Sequence, residues 1–204
     1  CAAAAVQRRL AERLGPDSEL LPALGCVSPP ARLSCHANGF ASVAPWRPQP
    51  TLAELNQGYA DAHRRIDEVL TMAYAVELLR AVEALHSAGK VLHTAICPEH
   101  VLVEVAEDLE AEGEAEAEAR GGSEDGGYRP LVRLQLIGLS NVIDASVFPE
   151  GQEYRTPPMA PRDAQCVEML DSSPWSFHAD LFGVCSTVHA LLFNEPLSLE
   201  QAHG

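Results

Sequence analysis

The stretch Val91-Leu92-His93-Thr94-Ala95-Ile96-Cys97-Pro98-Glu99-His100-Val101-Leu102-Val103 decides the fold of this sequence. Apolar side chains three and four positions apart over residues 63–88 predict a long helix before it, which ends at Gly89. The apolar run 101–105 predicts a strand directly behind it. The stretch is therefore a loop between a helix and a strand, and its polar side chains are candidates for a functional site. The side chains predicted to share one helix face are Val69, Met72, Ala73, Val76, Leu79, Val82 and Leu85.

Further elements follow this loop. Residues 131–137 alternate apolar and polar side chains, which predicts a second strand that forms a hairpin with 101–105. Residues 138–165 contain four Pro and are predicted to be irregular, and residues 166–170 are predicted to form a short turn or helix. The last predicted helix spans 178–193 and is expected to be buried. Its predicted core side chains are Leu181, Val184, Cys185, Val188, Leu191 and Leu192.

The first part of the chain holds weaker signals. Residues 2–14 predict a helix that stops at Gly15-Pro16. Two apolar runs, 20–27 and 31–35, predict two strands, and residues 36–50 are predicted to be a loop. Thr51 and Glu54 have the spacing of a capping box, so a short helix is predicted to begin there.

Composition excludes several classes of protein. The 204 residues, 47% of them hydrophobic, are enough for one domain with a sizeable core. We expect neither a signal peptide nor a membrane span, because no charged-then-apolar leader and no apolar run near 18 residues occurs. The net charge of -15 argues against nucleic-acid binding. The six scattered Cys are interpreted as buried, reduced thiols of an intracellular protein.

Much of the charge lies in one low-complexity segment. Residues 104–125 contain ten acidic residues and one Arg, and the segment is rich in Gly towards its end. So dense a charge does not bury, and we therefore interpret residues 104–128 as an acidic, solvated insertion between two strands.

The loop and its neighbours resemble the C-terminal lobe of protein kinases. His93 and the Pro98-Glu99 pair match the kinase catalytic-loop pattern H-R-D-L-x-x-x-N. Residues 136–140 lie where D-F-G is expected and residues 165–168 where A-P-E is expected. Asp180, followed three residues later by Gly183, resembles the kinase pattern D-x-W-S-x-G, and residues 85–93 match the approach to the loop. The resemblance therefore implies an α+β, protein kinase-like fold, mainly the helical C-terminal lobe with a partial N-terminal lobe.

Residues 134–193 resemble one particular group of protein kinases. The segments 143–151, 165–170 and 174–184 are similar to the Bub-type spindle-checkpoint kinases, in which a segment of the form Asp-x-x-hydrophobic-Phe-Pro-x-Gly replaces an ordinary activation loop. That family includes active kinases and pseudokinases at kinetochores. The Ala-rich, divergent character also resembles the Bub-type pseudokinase of kinetoplastid kinetochores.

At the positions where the kinase pattern has its reactive residues, this sequence has other residue types. The catalytic base position is Ala95, the phosphate-contacting Lys position is Cys97, and the metal-ligand positions are His100 and Gly138. Phosphoryl transfer depends on positioning and charge stabilisation by such groups. No G-x-G-x-x-G and no V-A-x-K occurs. The sequence therefore predicts a pseudokinase without catalytic residues, cofactor or metal.

The resemblance assigns fold-keeping roles to the residues that remain. It implies that Asp180 accepts backbone N–H bonds from the loop, that His93 packs beneath it, and that Glu168 lacks its usual Arg partner here. It also implies a division into a partial N-terminal lobe at 1–36, of one helix and two strands, and a C-terminal lobe at 37–204 truncated after the central helix. The further fold-keeping positions are Pro98 and Gly183.

Two other chemistries remain open at the sequence level. His93, Cys97 and His100, or Cys185 and His189, have ligand types that bind zinc, although neither set supplies four ligands. Cys97 with His93 or His100 is also a candidate thiol nucleophile. The sequence supports both hypotheses, the zinc site and the thiol nucleophile, less well than it supports a kinase-type loop.

Two functions follow from the resemblance. The first is a scaffold that docks protein partners, kinetochore or checkpoint components, in the nucleus at the kinetochore, with no nucleic-acid or membrane partner. The alternative is an atypical nucleotide-binding domain or weakly active Ser/Thr kinase of the same family.

Overall fold

The computed structural model describes residues 32–36, 39–43, 48–103, 132–139, 141–155 and 164–199. The predicted helix 2–14, the predicted strand 20–27 and the acidic insertion 104–128 lie outside the described residues. Within the described part, no helix is long and apolar enough to cross a bilayer.

An antiparallel hairpin opens the described chain. Strand β1 (Arg32–His36) lies at the predicted strand 31–35 and pairs with β2 (Gly39–Val43), with His36 opposite Gly39. The prediction of a loop over 36–50 is therefore wrong at 39–43. Two residues are enough to connect hairpin strands, and the Pro residues that indicated a loop come only after β2.

Helix α1 (Leu52–Asp61) begins with the predicted capping box. The Thr51 hydroxyl accepts from the Glu54 N–H at 3.1 Å, and the Glu54 carboxylate accepts from the Thr51 N–H at 2.8 Å. Such caps contribute about 1 kcal/mol to helix stability. The helix is anchored by Leu52, which is fully buried.

Helix α2 (Glu68–Glu83) begins later than predicted and continues as a π-helical turn at Ala84–Gly89. Asp67 caps it by accepting from the Val69 N–H at 2.9 Å. The predicted face is confirmed at Val82 and Leu85, both 1% exposed, and is wrong in its first turns, where Val69 and Met72 are 68% and 67% exposed. Apolar residues occur on most sides of this helix, and packing against the last helix and against the strand at 134–136 selects the face. The residues buried on α2 are Thr71, Tyr74, Glu77, Leu78, Ala81 and Val82.

Two short strand pairs frame the loop. Strand β3 (Val91–Leu92) pairs with β6 (Ile143–Asp144), and β4 (Val101–Val103) pairs with β5 (Leu134–Leu136), both antiparallel. The predicted hairpin of the 101–105 and 131–137 runs is confirmed. Single turns of 3-10 helix lie at Pro98–His100 and Ala145–Val147. The loop is thereby held at both ends by strand pairing.

Two helices complete the fold. The short helix α3 (Val167–Leu170) and the long helix α4 (His178–Phe193) match the predicted positions, and the bounds of α4 agree to the residue. The predicted core face of α4 is wrong at Leu181, which is 45% exposed, and at Cys185, which is also exposed. The small or polar residues Gly183, Ser186 and Thr187 are buried instead, because α4 packs closely against α2 and the loop.

The core consists of two groups of buried side chains. The larger joins α1, α2, the loop, strands β4 and β5, and α4. The smaller surrounds Trp175, which is 1% exposed, and fixes α3 against the start of α4. The members of the smaller group are Leu92, Cys166, Met169, Trp175 and Ala179.

Candidate functional site

The carboxylate of Asp180 holds the first half of the loop. Asp180 is 1% exposed, and its two oxygens accept from the backbone N–H groups of His93 at 2.8 Å and Thr94 at 2.7 Å. His86 Nε2 donates to the same carboxylate at 2.8 Å. Thr94 has a φ of 67°, a left-handed conformation that is unfavourable for a β-branched residue. The buried acceptor therefore stabilises a loop shape that the local sequence does not prefer.

His93 connects the loop to the end of strand β5. Its side chain is fully buried, and Nε2 donates to the Ile137 carbonyl oxygen at 3.0 Å. Burial lowers the pKa of His93, against the raising effect of Asp180, so the ring is held neutral. A neutral ring that donates from Nε2 carries its lone pair on Nδ1, which has no hydrogen-bond partner among the described residues. His93 therefore supports the loop rather than facing solvent.

The second half of the loop meets residue 138. A Cβ placed on Gly138 would lie 2.7 Å from His100 Cδ2, and Gly138 has a φ of +77°. The imidazole of His100 thus fills the space that a side chain at position 138 would need. His100 Nδ1 also donates to the Ala95 carbonyl oxygen at 2.7 Å, which fixes the ring in place. Ala95 itself is fully buried.

Cys97 is not poised for nucleophilic chemistry. Its side chain is 2% exposed, and burial, with Glu99 as the next cause, raises the pKa of its thiol to about 12. The sulfur lies 3.4 Å from His100 Nδ1, but that nitrogen is already directed at a carbonyl oxygen. Because the thiolate is the nucleophile, a raised pKa weakens the hypothesis of a reactive Cys97.

Gly183 lies where helix α4 passes closest to the loop. A Cβ at this position would meet the Ile96 carbonyl oxygen at 2.6 Å and the Ile96 Cβ at 2.8 Å. Any larger residue would push the helix away from the loop and lengthen the Asp180 hydrogen bonds. Pro98 is buried at the start of the 3-10 turn and closes the loop from the other side.

Glu168 lies apart from this loop, on helix α3. Its carboxylate Oε2 lies 3.7 Å from His178 Nε2 at the start of α4. A His therefore lies beside Glu168, and the expectation that Glu168 lacks its usual Arg partner stays a prediction. The sequence does not single out His86 or His178 as contacts of the retained acids. Their signal is weak, because each is a single His near a helix end.

The two sets of zinc ligands considered from the sequence do not assemble into metal centres. Of the residues that the structure describes, only Cys166, Glu168 and His178 bring three potential ligand atoms within 4.8 Å of one another. His93 directs Nε2 at a backbone carbonyl, and His189 Nδ1 lies 3.2 Å from the Glu195 carbonyl oxygen. The geometry around residues 93–100 therefore favours the hydrogen-bonded loop over a metal centre.

Comparisons with known proteins show what this chain is similar to. No family model matches the chain. It is 30% identical over 151 residues to the mitotic checkpoint serine/threonine-protein kinase BUB1 of Arabidopsis thaliana, a match that covers 74% of this chain and 27% of that protein. It is 27% identical over 173 residues to the mouse protein of the same name, covering 82% of this chain and 14% of the mouse protein.

A solved structure is similar over nearly the whole chain. The crystal structure of the BubR1 kinase domain matches with a TM-score of 0.71 and 21% identity, covering 98% of this chain and 53% of that chain. The fold is therefore α+β and protein kinase-like. More narrowly, it is a Bub-type protein kinase-like fold. The chain spans only 27% of the length of the plant relative and 14% of the length of the mouse relative.

Proposed function

We propose that this chain is a catalytically inactive, Bub-type pseudokinase domain that serves as a protein-interaction scaffold in spindle-checkpoint signalling. The relatives that match are named mitotic or spindle assembly checkpoint kinases in a plant, a mammal and a yeast. On that basis the partners are checkpoint or kinetochore proteins, and the location is the nucleus, at the kinetochore. Neither nucleic acid nor a membrane is a partner in this proposal.

One contact carries the proposal of inactivity. The ring of His100 occupies the space that a side chain at position 138 would need. These are the two positions at which the kinase pattern has metal ligands, Asn and Asp. An imidazole packed on a glycine supplies no carboxylate for a magnesium ion, and magnesium strongly prefers oxygen ligands. The substitutions are therefore matched to each other, and an Asp restored at position 138 alone would conflict sterically with the His100 ring.

Other features of the sequence support the same proposal. The catalytic base position is the buried Ala95, whose methyl group cannot accept a proton. The sequence contains a single Lys, Lys90, which is exposed at the end of the π-helical turn, outside the loop. Phosphoryl transfer relies on charges around the phosphates, so the loss of base and metal ligands together removes most of the stabilisation of the transition state.

The domain organisation belongs to the same proposal. Residues 1–36 belong to a partial N-terminal lobe and residues 37–204 to a C-terminal lobe with the acidic insertion at 104–128, and the pairing of β1 with β2 crosses this boundary. Within the described part, the loop around Asp180 is tightly hydrogen-bonded although its reactive positions are altered. A rigid loop without reactive groups supports a domain that binds partners through its shape rather than one that catalyses a reaction.

Thermal unfolding with and without magnesium-ATP tests the proposal. A ligand at 100 times its dissociation constant stabilises the folded state by about 2.7 kcal/mol. We expect no shift of the melting temperature at millimolar magnesium-ATP, and no transfer of radiolabelled phosphate to a generic acceptor or to the chain itself. The mouse kinase domain, assayed in parallel, is the positive control.

Either of two results would redirect the proposal. A clear shift with magnesium-ATP but no phosphate transfer would favour the alternative, an atypical nucleotide-binding domain. Phosphate transfer above that of a heat-denatured sample would favour the weakly active Ser/Thr kinase. The scaffold role is tested separately, by imaging the tagged chain in mitotic cells. We expect it at kinetochores, and a diffuse signal from the folded protein would contradict the proposed location.

A further inference from the structure

Three potential metal ligands meet between helices α3 and α4. They are Cys166 Sγ, a carboxylate oxygen of Glu168 and a ring nitrogen of His178, all within 4.8 Å of one another. Glu168 Oε2 and His178 Nε2 are 3.7 Å apart. This group lies outside the loop described above and uses none of its residues.

The positions of the three side chains follow from the local fold. Cys166 precedes α3 in an extended conformation, and Glu168 lies in the first turn of that helix. The loop after α3 folds back through a hydrogen bond from the Ser173 N–H to the Glu168 carbonyl oxygen at 2.8 Å. This return brings His178, the first residue of α4, beside Glu168.

Cys166 is held in place by the buried side chains around Trp175. Cys166 is 1% exposed and belongs to the buried group around Trp175. Trp175 is in turn fixed by paired backbone hydrogen bonds with Tyr154, both at 2.8 Å. The thiol is therefore held by the core, whereas the other two ligands stand at the edge of solvent. Their side chains are 41% exposed for Glu168 and 49% exposed for His178.

The donor set matches one kind of ion. Thiolate sulfur, imidazole nitrogen and carboxylate oxygen are the three ligand types that zinc takes in proteins, usually in a tetrahedral arrangement. Magnesium and calcium prefer oxygen alone, so a sulfur and a nitrogen disfavour them. A buried thiol beside two solvent-accessible ligands leaves a fourth position open to water and gives the ion a route of entry.

The simpler interpretation is an ion pair between Glu168 and His178. Exposed pairs of this kind contribute only about 0–1 kcal/mol, and a separation of 3.7 Å is long for a hydrogen bond. The Cys166 thiol donates a hydrogen bond to the Glu168 carboxylate, so the carboxylate links the thiol and the imidazole. A shared ion would use the sulfur, the carboxylate oxygen and the ring nitrogen at once, which neither the ion pair nor the thiol hydrogen bond does.

We propose that Cys166, Glu168 and His178 bind a zinc-type divalent cation that ties helix α3 to the start of helix α4. The thiol loses its proton to solvent when the sulfur coordinates the ion, and a water molecule completes the four ligands. No electron is transferred, so no oxidant or reductant is required. The ion would brace the segment at 165–170 against the central helix.

Metal titration of the full chain tests this proposal. The protein, reduced and freed of metal with a chelator, is titrated with zinc against a chromophoric competitor, and with cobalt(II) as a spectroscopic probe. We expect a cobalt-thiolate charge-transfer band together with the visible bands of tetrahedral cobalt. We expect His178→Gln and Glu168→Gln to weaken zinc binding at least about tenfold, since even residues that only support ligands contribute about 10–100-fold.

Matched controls come from helix α4. Cys185→Ser and His189→Gln remove a thiol and an imidazole outside the group, and should leave the affinity and the cobalt spectrum unchanged. Cys166→Ser should abolish the thiolate band, and circular dichroism verifies that each variant is folded. Because Glu168 and His178 are partly exposed, their variants test the site even if Cys166→Ser fails to fold.

The outcomes are decisive in both directions. Weaker binding in the Glu168 and His178 variants, with no change in the controls, supports the site. An absent thiolate band in the parent chain, or a zinc affinity that neither variant changes, overturns it. The proposal does not rest on the pseudokinase function, so its failure would leave that function untouched.

Discussion

The two halves of the loop at residues 93–100 differ in what they retain. In the first half, the buried Asp180 carboxylate accepts hydrogen bonds from the backbone of His93 and Thr94 and from the His86 ring. In the second half, the charged groups of the kinase pattern are replaced, and His100 packs on the bare backbone of Gly138.

The difference separates charge that supports shape from charge that supports chemistry. A buried carboxylate with three donors stabilises the loop, and losing it would leave those donors without an acceptor in a dry interior. A carboxylate at position 138 would have served a metal ion instead. Without that ion it would be an extra charge beside a packed ring. Under the proposed inactivity, the first kind of charge is kept and the second kind is lost.

The largest expected effect comes from removing the carboxylate of Asp180. Asp180→Ala should reduce the free energy of unfolding by about 3–5 kcal/mol, because breaking a buried charge network leaves its partners unpaired. Urea unfolding followed by circular dichroism measures it. The control is Glu153→Ala at an exposed carboxylate, expected to change stability by less than about 0.5 kcal/mol. A loss below about 1 kcal/mol in Asp180→Ala would show that the loop does not depend on this carboxylate.

Two neighbouring Leu residues on helix α2 show how much stability an ordinary buried side chain contributes compared with an exposed one. Leu78 is fully buried and Leu79 is 46% exposed. Leu78→Ala should lose about 2–5 kcal/mol through the cavity that it creates. Leu79→Ala should change stability by less than about 0.5 kcal/mol in the same denaturation assay. Equal losses would mean that the face of helix α2 is assigned wrongly.

A smaller loss of stability is expected from a substitution at Gly138, in the second half of the loop. Gly138→Asp should lose about 1–3 kcal/mol more than Gly151→Asp, because the new Cβ would press on the His100 ring. Gly151 is the matched control, since it has the same φ of +77° and a Cβ added there would meet nothing within 4 Å.

The same change in a His100→Asn background sharpens this result. The shorter side chain leaves room at position 138, so the penalty of Gly138→Asp should fall by about 0.5–3 kcal/mol, the usual range for residues in contact. Unfolding curves of the four proteins in the cycle give the coupling energy. A penalty that is the same in both backgrounds would exclude the proposed fit between the two positions.

The last prediction concerns the reactivity of two thiols, Cys97 and Cys185, and involves no change in stability. With a pKa of about 12, against an ordinary 9.0, the Cys97 thiol has a thiolate fraction smaller by roughly a thousandfold at pH 8. Alkylation with iodoacetamide, followed residue by residue with mass spectrometry, should modify the exposed Cys185 long before Cys97. Denatured protein supplies the reference, in which both should react alike. Equal rates in the folded chain would restore Cys97 as a candidate nucleophile.

Much of the fold is predictable because its signals are local. The capping box at Thr51 and Glu54 brings its two hydrogen-bonding groups together within one turn of helix. The order of helix, loop, strand and later helix also follows from apolar patterns and turn residues. The kinase register of the loop then locates Ala95, His100 and Gly138, although their consequences for catalysis stay a prediction.

Helix faces are less predictable, for a physical reason. Helix α2 carries apolar side chains on most sides, so periodicity alone does not select the side that faces the core. Packing against α4 and β5 buries Thr71 and Glu77 and leaves Val69 in solvent. On α4, the close approach to the loop favours Gly183 and excludes the larger Leu181 from the interior.

Local sequence thus establishes the capping box at Thr51, the existence of strands β4 and β5, the bounds of α4 and the residue types in the loop, since each depends on a short pattern. Contacts between distant residues depend on the tertiary structure. They include the ring of His100 on Gly138, the carboxylate of Asp180 beneath His93, and the meeting of Glu168 with His178. Such contacts exist only after the core has brought separate segments together, because shape and packing decide which side chains finally meet.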